Sequence, residues 1–178
     1  FFYPNPLESR GAERSPWFDC ACCPPNVVRF VGEMATFAYA TAPGALYAGL
    51  PLGGSADLQV DGARVRVEQT TDAPFGGATR LALALDAPKK FSLCVRVPGW
   101  ARGEPLPGGL YRYADHADGG PRVGVNGADV QAAVEHGFVR LERTWKSGDV
   151  VTMTLPTPVR RVLADERVAA DRGRVALM

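Results

Sequence analysis

Downstream of Leu46, apolar residues recur at every second position, and this constrains the fold more than any other feature of the chain. The runs are Leu58/Val60, Val65/Val67, Leu81/Leu83/Leu85, Phe91/Leu93/Val95/Val97, Val123/Val125, Val139/Leu141, Val151/Met153/Leu155 and Val159/Val162. Successive side chains of a strand point to opposite faces, so each run offers one apolar face to a core and one polar face to water. Between the runs lie Asp61-Gly62, Phe75-Gly76-Gly77 and Asn126-Gly127, residue types suited to tight turns. Many short strands with such turns predict a mainly β chain: an antiparallel β-sandwich over residues 43–178. The closing RVALM reads as a strand with no turn behind it, so the sandwich is expected to be truncated at its C-terminal end. Residues 102–121, rich in Gly and Pro, read as a long loop or insertion.

Upstream the period changes. Val27, Val31, Met34 and Ala38 fall at helical spacing, with Val28, Phe30 and Phe37 widening the stripe. One helix is expected over about 25–41, with Pro24 or Pro25 in its first turn and Pro43-Gly44 ending it. Residues 1–42 therefore form a segment distinct from the sandwich.

Charge narrows the function classes. Lys+Arg 20 against Asp+Glu 19 leaves a net charge of +1 with no block of one sign, which argues against nucleic-acid or membrane-surface binding. No run approaches the ~20 apolar residues of a membrane-spanning helix. The first residues, FFYPNPLES, carry neither an initiator methionine nor a leader, so the chain reads as a piece of a longer protein.

FDCACCPPN, residues 18–26, holds three of the chain's four cysteines. Cys22 and Cys23 are adjacent, and Cα atoms across a trans peptide are ~3.8 Å apart, below the ~4.4–6.8 Å of an ordinary disulfide. Cys20 and Cys23 make a C-x-x-C, but that redox motif expects a βαβ setting rather than a sandwich. Zinc accounts better for neighbouring thiols, because its charge lets thiolates stay ionised side by side. A helix beginning at Pro24 or Pro25 would place Cys22 and Cys23 at its N-terminal end, which favours anionic sulfur and makes either a candidate nucleophile. From spacing alone, a structural zinc knuckle and a catalytic thiolate stand level. Cys94, inside the apolar run FSLCVRV, reads as a small core hydrophobe.

FFYPNPLESR, WFDCACCPPNVVRF, FSLCVRVPGWA, a VNG turn, GFVRLERTWKSGDVVTMTLP and RGRVALM together resemble, in order, the C-terminal half of glycoside hydrolase family 127, the β-L-arabinofuranosidases. The resemblance implies that residues 1–42 are the last segments of a catalytic α/α barrel. It implies a zinc ion with Cys22 as nucleophile and ligand and Cys23 as ligand. The remaining zinc ligands, a glutamate and a third cysteine, and the glutamate acid/base are assigned to barrel segments upstream of residue 1. The implied reaction is retaining, with Cys22 taking the place of one of the two usual carboxylates. The implied partner is an arabinose-containing oligosaccharide or glycoconjugate, and this chain alone is expected to be inactive.

The same resemblance places Tyr3 and Asn5 at the sugar pocket and gives Cys20 no ligand role. Trp17 and Phe18 read as packed aromatics before a sugar platform, and Asp19 as a loop or capping carboxylate. Glu8 and Arg10 fit a buried pair or a solvated turn equally. His116 and His136 read as surface residues, Trp100 and Trp145 as sandwich packing, and Asp115 with Asp118 matches no calcium pattern. Metal-ready thiols lean towards a reducing, cytoplasmic setting, and the sequence leaves a homodimer open.

Overall fold

The structure, a computed structural model, describes Gly11, Glu13, Pro16, Cys20, residues 22–116 and residues 119–178. The chain divides into two compact units, residues 1–37 and 38–178.

In the first unit the described element is helix α1, Cys23–Glu33, continued by a 3-10 turn at Met34–Phe37. Its apolar stripe is exposed, with Val27, Val28, Phe30, Val31 and Phe37 all open to solvent. Phe30 and Phe37 touch each other, ring centroids 6.2 Å apart. The helix ends well before the expected residue 41. Thr36 Oγ1 donates to the Glu33 carbonyl at 2.7 Å, and residues 39–42 are strand instead. Pro43-Gly44, expected to stop a helix, is a hairpin turn with Gly44 at φ 68°. Pairing with a strand partner overrides the local helical spacing of Ala38, as strand context commonly does for β-branched and aromatic segments such as Tyr39–Thr41.

Among its described residues the second unit carries fourteen strands in chain order. They are β1 (Tyr39–Ala42), β2 (Ala45–Ala48), β3 (Gly54–Val60), β4 (Ala63–Thr71), β5 (Ala78–Leu85), β6 (Lys89–Arg96) and β7 (Tyr111–Tyr113). There follow β8 (Arg122–Val125), β9 (Ala128–Val130), β10 (Val134–Glu135), β11 (Phe138–Trp145), β12 (Val150–Thr154), β13 (Arg161–Ala164) and β14 (Ala176–Leu177). One sheet runs β1-β2-β6-β11-β10, the other β3-β4-β5-β12-β8-β9, and a small third sheet runs β14-β13-β7. Among the described strands all pairs are antiparallel except β2 with β6, where Leu46 lies beside Leu93 in a parallel register.

Period-two alternation supplies the core. Leu46, Phe91, Leu93, Val95, Val139 and Leu141 from the first sheet meet Val65, Val67, Leu81, Leu83, Val151 and Met153 from the second. Trp145 is fully buried there, its ring 6.0 Å from that of Phe91, and its indole N–H donates to the Phe91 carbonyl at 3.0 Å. A buried indole without such an acceptor is costly, so this bond lets the largest core side chain sit inside. Trp100 packs against the same core.

The turns match their chemistry. Asp61-Gly62, Asn126-Gly127 and His136-Gly137 each join paired strands with both residues at positive φ, the type I′ requirement. The Asp61 carboxylate also accepts the Gly44 N–H at 2.9 Å, tying a hairpin of one sheet to a hairpin of the other. At Gly77 a Cβ would lie 1.9 Å from the Leu155 carbonyl oxygen, so only glycine fits there.

Two further expectations are revised. Residues 102–121 are not all loop, since β7 arises within them and pairs with β13. Val159 is not in a strand but 79% exposed, between Pro158 and Arg160 in a stretch where Pro156 and Pro158 lack ladder donors. Cys94 is buried, as expected of a small core hydrophobe, and lies on the opposite face of β6 from Leu93, beside Tyr47 and Arg140.

Asp115 fastens the 102–121 segment to β13. Its carboxylate accepts the Arg161 N–H at 3.1 Å and the Arg161 guanidinium, while the Asp115 carbonyl accepts from Arg160 at 2.6 Å. Chiefly through the Arg161 side chain, its carboxyl is lowered to about 2. A depressed carboxylate stabilises above its unfolded value of ~3.9 and loses that contribution as pH falls through the folded value. Exchange of the Ala114 amide, which donates to the Arg161 carbonyl, is therefore expected to lose protection between about pH 4 and 2 relative to the core strands. Unchanged protection across that interval would refute the tie. Residues 38–178 alone are expected to unfold in one cooperative urea transition, and Trp145→Ala to cost ~3–5 kcal/mol in it.

Candidate active site

The thiols of FDCACCPPN are placed by the start of α1. Cys22 is its N-cap and Cys23 its first helical residue, and Cys22 itself already has helical backbone angles, φ −67° and ψ −34°. The two sulfurs lie 3.7 Å apart, and both residues are exposed. That distance is far beyond an S–S bond and rules out a disulfide between them. Two Zn–S bonds of ~2.3 Å meeting at a tetrahedral angle place their sulfurs about 3.8 Å apart. The pair therefore matches one edge of a tetrahedral thiolate site.

Electrostatics define what the pair needs. The contact with the Cys22 thiol, then burial, then the charges of Cys22 and Cys20 all push the Cys23 thiol above its ordinary value. Two neighbouring thiols resist a second ionisation because like charges at this range repel. The helix end offers less relief than its position suggests. Pro24 and Pro25 carry no N–H, and the Asn26 N–H is committed to the Cys22 carbonyl at 3.3 Å. A cation bound between them would offset that repulsion.

Among the described residues, no three His, Cys, Asp or Glu side chains converge as they do around a metal. Cys20 is exposed and in no disulfide. Tyr3 and Asn5, with Glu8, Arg10, Trp17, Phe18 and Asp19, lie outside the described residues, as does Asp118. His116 and His136 are both exposed, the latter in its type I′ turn. The sandwich carries a separate cavity of about 520 Å³, walled by Leu50, Val95, Trp100, Tyr113, Met153 and Leu155 among others. Its lining is overwhelmingly apolar, and none of Cys20, Cys22 or Cys23 contributes to it. Sequence reasoning passed over both this cavity and Asn26, whose side-chain amide donates to the Cys22 carbonyl at 2.9 Å. The signal for Asn26 was its place four residues after Cys22, one helical turn on.

Residues 45–157, more than half of the chain, match the family described as beta-L-arabinofuranosidase, GH127 middle domain. The chain belongs to glycoside hydrolase family 127. The matched residues are those of the sandwich; the cysteine motif precedes them. Relatives that extend over the motif include a non-reducing end beta-L-arabinofuranosidase of Bifidobacterium longum subsp. longum, 30% identical over 94% of this chain and 23% of its own length. A solved GH127 beta-arabinofuranosidase is 42% identical with a TM-score of 0.91, over all of this chain and 28% of that one. A GH127 beta-L-arabinofuranosidase from Geobacillus stearothermophilus T6 is 31% identical with a TM-score of 0.80, over 98% of this chain and 25% of that one. The GH127 chain thus spans about a quarter of the length of these relatives.

The sulfur pair yields a direct test on the metal-free GH127 chain. Cys22→Ala removes both the thiol contact and the charge that raise Cys23, so the Cys23 titration is expected to move down towards the ordinary thiol value. Alkylation rate against pH reads this. A Cys23 titration unmoved or raised in the variant would show that the two sulfurs do not interact.

Proposed function

We propose that this chain is part of a retaining glycoside hydrolase that releases L-arabinose from the non-reducing end of β-L-arabinofuranosides, with Cys22 as nucleophile. The observation that carries the reading is the Cys22–Cys23 sulfur pair, 3.7 Å apart and exposed, in a chain of a family whose characterised relatives are named for that activity.

The proposed chemistry divides between two steps. The Cys22 thiolate attacks the anomeric carbon, forming a C–S bond as the glycosidic C–O bond breaks, and a carboxylic acid from another segment of the enzyme protonates the departing oxygen. Water, deprotonated by the same group, then displaces Cys22 and releases arabinose with its anomeric configuration retained. A thiolate here needs a counter-charge, since Cys23 beside it is already pushed towards the neutral form. Cys22 and Cys23 are the residues of this chain that would hold zinc. When bound, the ion keeps their sulfurs ionised at neutral pH while drawing charge from them. Tyr3 and Asn5 are proposed to line the sugar pocket, and the substrate to be an arabinose-containing oligosaccharide or glycoconjugate.

The test uses the full-length enzyme and a chromogenic β-L-arabinofuranoside. Cys22→Ser is expected to lower kcat by roughly 10³-fold or more with the melting temperature little changed, as removal of a nucleophile does. Chelation of the metal is expected to abolish turnover, with zinc restoring it. A Cys22→Ser enzyme that keeps its activity would refute the nucleophile assignment.

A further inference from the structure

We infer that Asn26 is a positioning residue for the thiol pair, holding Cys22 and Cys23 at metal-bridging separation through the Cys22 carbonyl; this rests on the proposed zinc-thiolate reading. Neighbouring residues of a helix project roughly 100° apart, so two adjacent cysteines bring their sulfurs together only if the peptide between them is held in one orientation. That peptide is the Cys22–Cys23 unit, and its carbonyl accepts twice from one residue. The Asn26 side-chain amide donates at 2.9 Å and the Asn26 backbone N–H at 3.3 Å.

The two prolines give this double anchor its weight. An ordinary helix ties its start with an N-cap side chain that accepts from the N–H two or three residues on. Here those positions are Pro24 and Pro25, which carry no N–H. Asn26 is the first residue after the cysteines that has an N–H to give, and its side chain adds a second donor to the same oxygen. Asparagine is otherwise a poor helix former, so a purely structural account predicts that alanine does as well or better at this position.

Two measurements decide the matter. The first uses this 178-residue chain with Cys20→Ser and phenylarsine oxide, which takes up both thiols as two As–S bonds while the oxide oxygen and the two thiol protons leave as water. Asn26→Ala is expected to weaken capture about tenfold or more, as loss of a ligand-orienting partner does. Asn26→Ser, whose hydroxyl can donate to the carbonyl four residues back, is expected to stay within about threefold of the parent. Far-ultraviolet circular dichroism checks that helix content is equal. Equal capture by Asn26→Ala, or a Ser variant as weak as Ala, overturns the inference.

The second measurement uses the full-length enzyme, by chelator competition for zinc and by the thiolate-to-metal charge-transfer band with cobalt. Asn26→Ala is expected to lose roughly 10–100-fold in zinc affinity and to alter the cobalt band, with Asn26→Ser restoring both. Unchanged affinity and spectrum in Asn26→Ala overturn the inference. A parent enzyme that binds no zinc would instead sink the zinc reading, and the arsenical capture then decides the role of Asn26 by itself.

Discussion

Strand β6 is the member on which the sandwich depends. It pairs with β2 on one side and β11 on the other, and five of its residues, Phe91 to Val95, are buried in succession. Phe91, Leu93 and Val95 face the core, while Ser92 and Cys94 are covered on the other face near the edge-to-face pair of Tyr47 and Phe138. A strand buried on both faces must satisfy all its backbone groups internally, and the Trp145 indole bond to the Phe91 carbonyl adds to the ladders on either side. Loosening β6 would open both the parallel and the antiparallel contacts at once.

Much of this was legible in the sequence, for a definite reason. A sheet face registers as period two wherever one side meets a core and the other meets water, and that held for β4, β5, β11 and β12. The Asp-Gly and Asn-Gly turns were legible because their residue types tolerate positive φ. The parallel pairing of β2 with β6 was not, because alternation says which face of a strand is buried and nothing about which strand lies beside it. The end of α1 was misread for a related reason. Ala38 continues the helical stripe by spacing, but its carbonyl accepts from Gly49 at 2.7 Å, a partner eleven positions away that no local pattern reveals.

At the cysteines the balance is different. Their crowding, the impossibility of an ordinary disulfide between neighbours and the helix start behind them were all visible in FDCACCPPN. What was not visible was how little that helix end has to offer an anion. Sequence reasoning counted the N-terminus as a source of charge stabilisation; the arrangement of Pro24, Pro25 and Asn26 shows that most of its donors are missing or spoken for. The nature of the pair is thus set by the absence of N–H groups as much as by the presence of sulfur.

The raised Cys23 thiol has a consequence for its reactivity towards oxidants. Oxidants attack the thiolate far faster than the thiol, and the ladder from sulfenic to sulfinic and sulfonic acid begins only from the ionised form. A Cys23 held towards its neutral form by its neighbour is therefore a slow target. Exposed on the surface, Cys23 is thus held towards its less reactive thiol form by the sulfur crowded against it.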